Sequence, residues 1–197
     1  AADAGVKIIA YDRLIENTPN VDYYVAFDNF KVGELQGQAL LDGLAARSGH
    51  AAPWNIELFS GSPDDANSAV FFNGAMSVLQ PKIDDGTLVV KSGQTDIAQT
   101  ATQGWKAENA QSRMDSLMTA NYADGSIDGV LSPNDTLARA IIGTRTVDDR
   151  GGVHDADLVI VGGGRRGAED RHRPDRALEQ ADVGARQRLA LGQRDRK

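Results

Sequence analysis

The stretch IIAYDRLIENTPNVDYYVAFDNFKVGELQG, residues 8–37, decides the fold. Two short apolar runs, Ile8 to Tyr11 and Tyr23 to Phe27, each end on a hydrogen-bonding pair, Asp12-Arg13 and Asp28-Asn29. β-Branched and aromatic residues bounded by Asn, Pro and Asp read as strands. A helical pattern follows at once over Phe30 to Arg47, with Val32, Leu35, Leu40, Leu41 and Leu44 near a spacing of 3.6. Strand, strand, then helix, with polar pairs where the strands run out, is how an α/β protein builds its rim.

The alternation continues. Val6 to Tyr11 is the full extent expected of the first strand, and Ala1 to Gly5 reads as the last turn of a helix stopped by glycine. Asn55 to Phe59 is a strand, and Asn67 to Leu79 a helix stopped by Pro81. Leu88 to Val90 is a strand, Glu108 to Ala120 a helix, Ile127 to Leu131 a strand, and Asp135 to Ile142 the start of a helix. Strands separated by helices of this length form right-handed βαβ units and a mainly parallel sheet. In such sheets ligands sit beyond the carboxyl ends of the strands. Those ends carry Asp12-Arg13, Asp28-Asn29, Gly61 to Asp65, Gln94 and Asn134-Asp135.

Bulk composition narrows the function. At 197 residues the chain has room for one domain or two small ones. There is no cysteine, so neither disulfides nor thiolate chemistry arises. Three scattered histidines, His50, His154 and His172, do not make a metal site, and no cofactor is expected. A net charge of −7 argues against a nucleic-acid surface and suits a small neutral or cationic ligand. No apolar run reaches the length of a membrane span, and no signal-peptide pattern is visible at the N-terminus.

The segments IIAYDRLI, YYVAFDNFKVGELQ, NIELFSGSPDDANS, GAMSVLQP, LVVKSGQ and VLSPNDTLARA, taken in order and spacing, resemble the periplasmic sugar-binding proteins of ABC importers. The similarity is to the branch that binds xylose or several monosaccharides, and it runs from residue 1 to about 142. It implies a partial type I periplasmic binding protein fold: two Rossmann-like lobes joined by a three-strand hinge, with sugar held in the cleft. On that pattern residues 1–29 are a remnant of the N-terminal lobe and its hinge crossing, and residues 30–144 part of the C-terminal lobe. The chain is then expected to lack the first βα units of the N-terminal lobe, and sugar affinity is expected to be weak or absent. The resemblance also implies a monosaccharide ligand, an ABC permease as partner, a monomer, and a periplasmic or extracytoplasmic location.

Six residues are candidates for the site. A carboxylate accepts hydroxyl donors and a guanidinium donates in a planar fork, so Asp12 and Arg13 supply complementary functions to a pyranose. On residue chemistry alone, a surface ion pair or a helix cap by Asp12 is the favoured account; the resemblance turns the preference to sugar contact. Asp65 and Asn67, in GSPDDANS, match the hydroxyl-binding pair of the family's C-terminal lobe; helix capping is the alternative. The family commonly has a second Asn where Ala66 stands. Trp105, in GWKAENA, matches a tryptophan whose face stacks on sugar C–H groups, with ordinary packing as its alternative. Asn134, in SPND, resembles a ligand amide, and an N-cap or Asx-turn is its alternative. Trp54 is assigned to packing, Gln94 to the rim, and Asp28 and Asn29 to the lobe crossing.

After about residue 144 the composition changes. Residues 1–144 hold four arginines and all eleven aromatic residues, whereas residues 145–197 hold eleven arginines and no aromatic residue. This atypical Arg-rich tail has little to bury, which suits either a solvated segment or, the preferred reading, the product of a shifted frame. DLVIVGGGRRGAED lies where the family has a strand ending GQDA, but Arg165-Arg166 stand in place of Gln-Asp. The G-x-G-x-x-G within residues 162–167 lacks the helix a dinucleotide fingerprint requires. No nucleophile, base and orienter assemble, so an enzyme is not expected. The rival reading is the ligand-sensing domain of a LacI-like repressor, which shares the fold.

Overall fold

The structure is a computed structural model that describes residues 1–47, 49–145, 159–161 and 190–193. A turn of 3₁₀ helix, Ala2–Ala4, closes on Gly5 at φ 70°, the left-handed stop expected there. Strands β1 (Ile9–Tyr11) and β2 (Tyr23–Ala26) pair in parallel, with Ile9 opposite Tyr23. Helix α1 (Asn29–Arg47) leads to β3 (Trp54–Leu58), α2 (Ala66–Asp84) and β4 (Leu88–Val89). A short α3 (Ile97–Thr100) precedes α4 (Ala107–Asn121), β5 (Gly129–Leu131), α5 (Asp135–Arg145) and β6 (Val159–Val161). Strand β7 (Ala190–Gln193) pairs antiparallel with β2.

Two sheets result, one ordered β1-β2-β7 and the other β4-β3-β5-β6, the second parallel throughout. From β3 the chain crosses to β4 on one side, then returns to β5 on the other. The order therefore reverses between β3 and β5, the position at which open α/β sheets leave a crevice. The central strands are buried on both faces. Ile56, Leu58, Leu131, Val159 and Val161 pack with Leu40, Leu44, Phe72, Ala75 and Leu79 of α1 and α2. Val130 and Ile160 face the other way, onto Ala110, Met114 and Leu117 of α4 and Leu137, Ala138 and Ile141 of α5.

Several expectations are corrected. The first strand is three residues long, not six; Val6, ahead of it, is 54% exposed and buries little at that edge. Pro81 does not stop α2. It stands in the final turn, where its missing N–H costs one hydrogen bond, and its carbonyl accepts from Asp85 N at 3.1 Å. Helix α3 carries no long apolar period; a capping box between Asp96 and Gln99 defines it. Within the Arg-rich tail, Val159–Val161 is a buried strand paired with β5 at the end of the second sheet, and Ala190–Gln193 extends the first sheet, where composition leads one to expect little to bury. The remainder of the tail, including residues 162–167, lies outside the described residues.

Helix α1 also packs differently from its leucine pattern. Leu40 and Leu44 are fully buried, but the contact with α2 runs through glycines. A Cβ on Gly33 would lie 2.0 Å from the Phe71 carbonyl oxygen, one on Gly37 2.9 Å from that of Ala75, and one on Gly74 2.1 Å from that of Phe30. The partners ascend together, so α1 and α2 lie side by side in parallel with backbone against backbone. Gly33→Ala is expected to force them apart and cost about 1–3 kcal/mol, the usual range for overpacking, as a lower urea midpoint with unchanged m.

At the opposite end of the sheet, His50 Nε2 lies 2.9 Å from Asp128 Oδ1, while its Nδ1 lies 2.8 Å from the Ala51 carbonyl oxygen. The Ala51 carbonyl, then Asp128, raise the His50 pKa above its ordinary 6.5. The folded state thus holds the proton more tightly than the unfolded chain. The stabilisation is complete below pH 6.5 and lost as pH rises through the raised folded value. Thermal melts at several pH values should show that decline in the wild type and its absence in His50→Phe.

Candidate functional site

The loop after β3 begins at Phe59, whose N–H donates to the Leu131 carbonyl of β5 at 2.9 Å. It is tied to the segment before α4 by Ser60 N to Thr100 O at 2.9 Å, Thr102 N to Gly61 O at 3.1 Å, and Gly104 N to Ser62 Oγ at 2.7 Å. Gly61 has to be glycine. Its Cβ would fall 2.0 Å from the Trp105 ring, which lies directly over the backbone there. Trp105 itself sits at φ 55°, a left-handed conformation uncommon for a bulky residue and held here by its neighbours.

Asp65 is where these pieces meet. It caps α2, its Oδ1 accepting from Asn67 N at 3.0 Å. Its Oδ2 accepts from Trp105 Nε1 at 3.0 Å and from Arg13 Nε at 2.9 Å. The carboxylate side chain is 4% exposed, whereas that of Arg13 is 62% exposed. Arg13 thus reaches from the end of β1 to the N-terminus of α2, and pairs with Asp65 rather than with adjacent Asp12.

Asn67 makes the second link between the same segments. Its Nδ2 donates to the Asp12 carbonyl at 3.1 Å, and its Oδ1 accepts from Asn29 Nδ2 at 2.8 Å and from Tyr24 OH at 3.3 Å. The Tyr24 hydroxyl also lies 3.2 Å from the Asp12 carbonyl. Burial, then the Asp12 and Asp65 charges, push the Tyr24 hydroxyl above its ordinary pKa, so it is a neutral donor. Asp12 enters through its main chain, turned inward by φ 67°; its side chain is exposed. Asp tolerates that conformation better than most residues.

Asn134 lies at the end of β5, across the crevice from the β3 loop. Its Oδ1 accepts from Leu137 N at 2.9 Å, so the helix cap anticipated as its alternative role is present. No hydrogen bond joins its side chain to the other five candidates among the described residues. Gln94 anchors Arg113: its Oε1 accepts from Arg113 Nε at 3.2 Å and Nη2 at 2.7 Å. Trp54 is the first residue of β3, and its indole N–H donates to the His50 carbonyl at 3.1 Å, consistent with packing.

Sequence reasoning missed the supports beneath this rim. Arg113 Nη1 donates to the Leu58 carbonyl at 2.8 Å, at the end of β3, and the guanidinium lies 4.3 Å from the centre of the Phe59 ring. Burial lowers its pKa, opposed by the charge of Glu57. Glu57 is fully buried and accepts from Tyr122 OH at 2.7 Å and Ser92 Oγ at 2.8 Å. Burial first, and then Glu57, raise the Tyr122 pKa. A signal for Arg113 did exist: it falls among Ala110, Met114 and Leu117 on the apolar face of α4, where a charge needs partners.

The chain matches a known family and known structures. The periplasmic binding protein domain family matches residues 1–167. The multiple sugar-binding periplasmic receptor ChvE of Rhizobium radiobacter is 56% identical over 142 residues, covering 72% of this chain and 40% of that protein. The D-xylose-binding periplasmic protein of Escherichia coli (strain K12) is 37% identical over 166 residues, covering 82% of this chain and 46% of that one. An ABC transporter solute binding protein from Clostridium phytofermentans, solved with bound beta-D-glucose, superposes with a TM-score of 0.74 at 40% identity. That alignment covers 83% of this chain and 49% of the solved one, so the chain spans under half the length of each of these three proteins. The expectation of family and fold class is borne out: this chain belongs to the periplasmic binding protein domain family.

Proposed function

We propose that the chain serves as the solute-binding component of an ABC sugar importer, holding an aldose monosaccharide such as xylose, glucose or galactose without covalent chemistry. The observation that carries this reading is the convergence on Asp65 of Arg13, from one segment, and Trp105, from another. A buried carboxylate, an exposed guanidinium and an indole face together offer an acceptor, donors and an apolar plate. A pyranose ring presents hydroxyls, ring oxygen and C–H surface to the same set. Residues 1–29 belong to the first lobe and hinge crossing, and residues 30–144 to the second lobe. Asp12, Arg13, Asp65, Asn67, Trp105 and Asn134 contact the sugar, and a closed, sugar-bound form of a monomer docks on an ABC permease outside the cytoplasm. Binding rather than catalysis is its role, with no cofactor and no nucleic acid as partner. The relatives described above, a multiple sugar-binding receptor and a D-xylose-binding protein, support this reading.

Sugar binding should perturb Trp105. Titration of the full chain with D-xylose, D-glucose or D-galactose is expected to give a saturable change in tryptophan fluorescence, at millimolar or weaker affinity. Asp65→Ala should abolish it, since the carboxylate orders both Arg13 and Trp105. A linear, non-saturating response to all three sugars would reject the reading. Gly61→Ala supplies a separate check. The added methyl must displace the Trp105 ring, so fluorescence should shift without ligand and affinity should fall roughly tenfold or more, equivalent to about 1.4 kcal/mol.

A further inference from the structure

We propose that Tyr24 and Asn29 are positioning residues that fix the Asn67 carboxamide, so that Asn67 meets a bound sugar as a hydrogen-bond donor. The inference rests on the sugar-binding reading above and specifies the polarity of one of its contacts.

An amide side chain can present either its oxygen or its nitrogen, and its surroundings decide which. Around Asn67 the decision starts with the Asp12 main-chain carbonyl, which can only accept. The Asn67 Nδ2 lies 3.1 Å from it. Turning the amide over would set two oxygens against each other there. At Asn67 Oδ1, Asn29 Nδ2 donates at 2.8 Å, and the single Tyr24 O–H, 3.3 Å away, is shared with the Asp12 carbonyl at 3.2 Å. Asn67 is only 6% exposed, so water cannot readily replace a lost partner. Oδ1 thus accepts from Asn29 and faces the shared Tyr24 hydroxyl. One Nδ2 hydrogen is committed to Asp12, which leaves the second as the group's remaining capacity. A ligand oxygen near Asn67 therefore finds an N–H.

The assignment complements its neighbour. Asp65 can only accept, and three donors already occupy its carboxylate, at Asn67 N, Trp105 Nε1 and Arg13 Nε. Two positions apart on one helix N-terminus, the site thus offers an acceptor and a donor. A sugar hydroxyl that satisfies Asp65 gives a proton, whereas the one that satisfies Asn67 takes one. Asn29 and Tyr24 lie behind Asn67 and act on the sugar only through it.

The test has two readouts on the full chain. Without sugar, the Asn67 side-chain amide protons should show nuclear Overhauser contacts to the Asp12-Arg13 backbone and slow solvent exchange. Asn29→Asp places an acceptor where a donor stood, so those contacts should move to position 29. Asn29→Ala, which introduces no charge, should keep the contacts but speed exchange. Contacts and exchange unchanged in both variants would overturn the proposal.

With sugar, affinities for singly deoxygenated and singly fluorinated D-glucose are compared by NMR titration. Fluorine can accept weakly but cannot donate, so the position facing Asn67 should favour fluoro over deoxy by roughly 3- to 10-fold in the wild type. Asn29→Asp should erase that preference at one position and leave the others alone; an unchanged pattern at every position would overturn the proposal. If no glucose derivative binds any variant while the amide contacts move as stated, the sugar-binding reading falls and takes the donor role with it. The positioning by Asn29 would in that event stand as a property of the protein.

Discussion

The site depends on a carboxylate that caps a helix and bridges two segments at once. Asp65 satisfies the first turn of α2, receives the Trp105 indole, and holds the Arg13 guanidinium from β1. None of these acts alone. The helix start fixes the carboxylate, and the carboxylate fixes the rotamer of a tryptophan whose own backbone is strained. Removing a buried acceptor leaves its donors unsatisfied, which costs more than the hydrogen bonds themselves contribute. Capping and ligand contact, posed in the sequence as alternatives, are therefore compatible: the Oδ1 that caps is not the Oδ2 that gathers the other groups.

The parallel β4-β3-β5-β6 sheet was legible because its evidence is periodic. Alternating apolar strands and helices of regular length leave few other topologies. The polar ends of those strands were legible too, since a buried strand can change character only where it leaves the core. Arg13 and Asp65 meet at that rim, joined there by the Trp105 indole and by the Asn67 main chain. The extent of β1 was less legible because its exposed edge buries little, and the reach of α2 past Pro81 because a proline in the final turn costs only one hydrogen bond.

Chemistry that depends on long-range partners was out of reach. Nothing local in the sequence says that Arg113 will lie on Phe59 and bind Gln94, or that Glu57 will find Tyr122 and Ser92. Residue type identified Asp12 as a carboxylate, yet the structure uses its carbonyl, an atom every residue has. The leucines of α1 marked the face that enters the core, but nothing in their spacing showed that the contact with α2 runs through glycines. Side-chain hydrophobicity is blind to where a missing side chain matters.

That glycine contact has an electrostatic consequence. Because α1 and α2 run parallel with their backbones touching, both of their N-termini open at the same end, near Asn29 and Asp65. Each helix start carries the equivalent of roughly half a positive charge. Each of those ends is met by a carboxylate, Asp28 Oδ1 accepting from Lys31 N and Asp65 Oδ1 from Asn67 N, so the peptide dipoles offset part of the negative charge gathered at this rim. That offset does not vary with pH across the physiological range, and it eases the approach of oxygen lone pairs. Three glycines inside the helices thus bear on what kind of atom is welcome there.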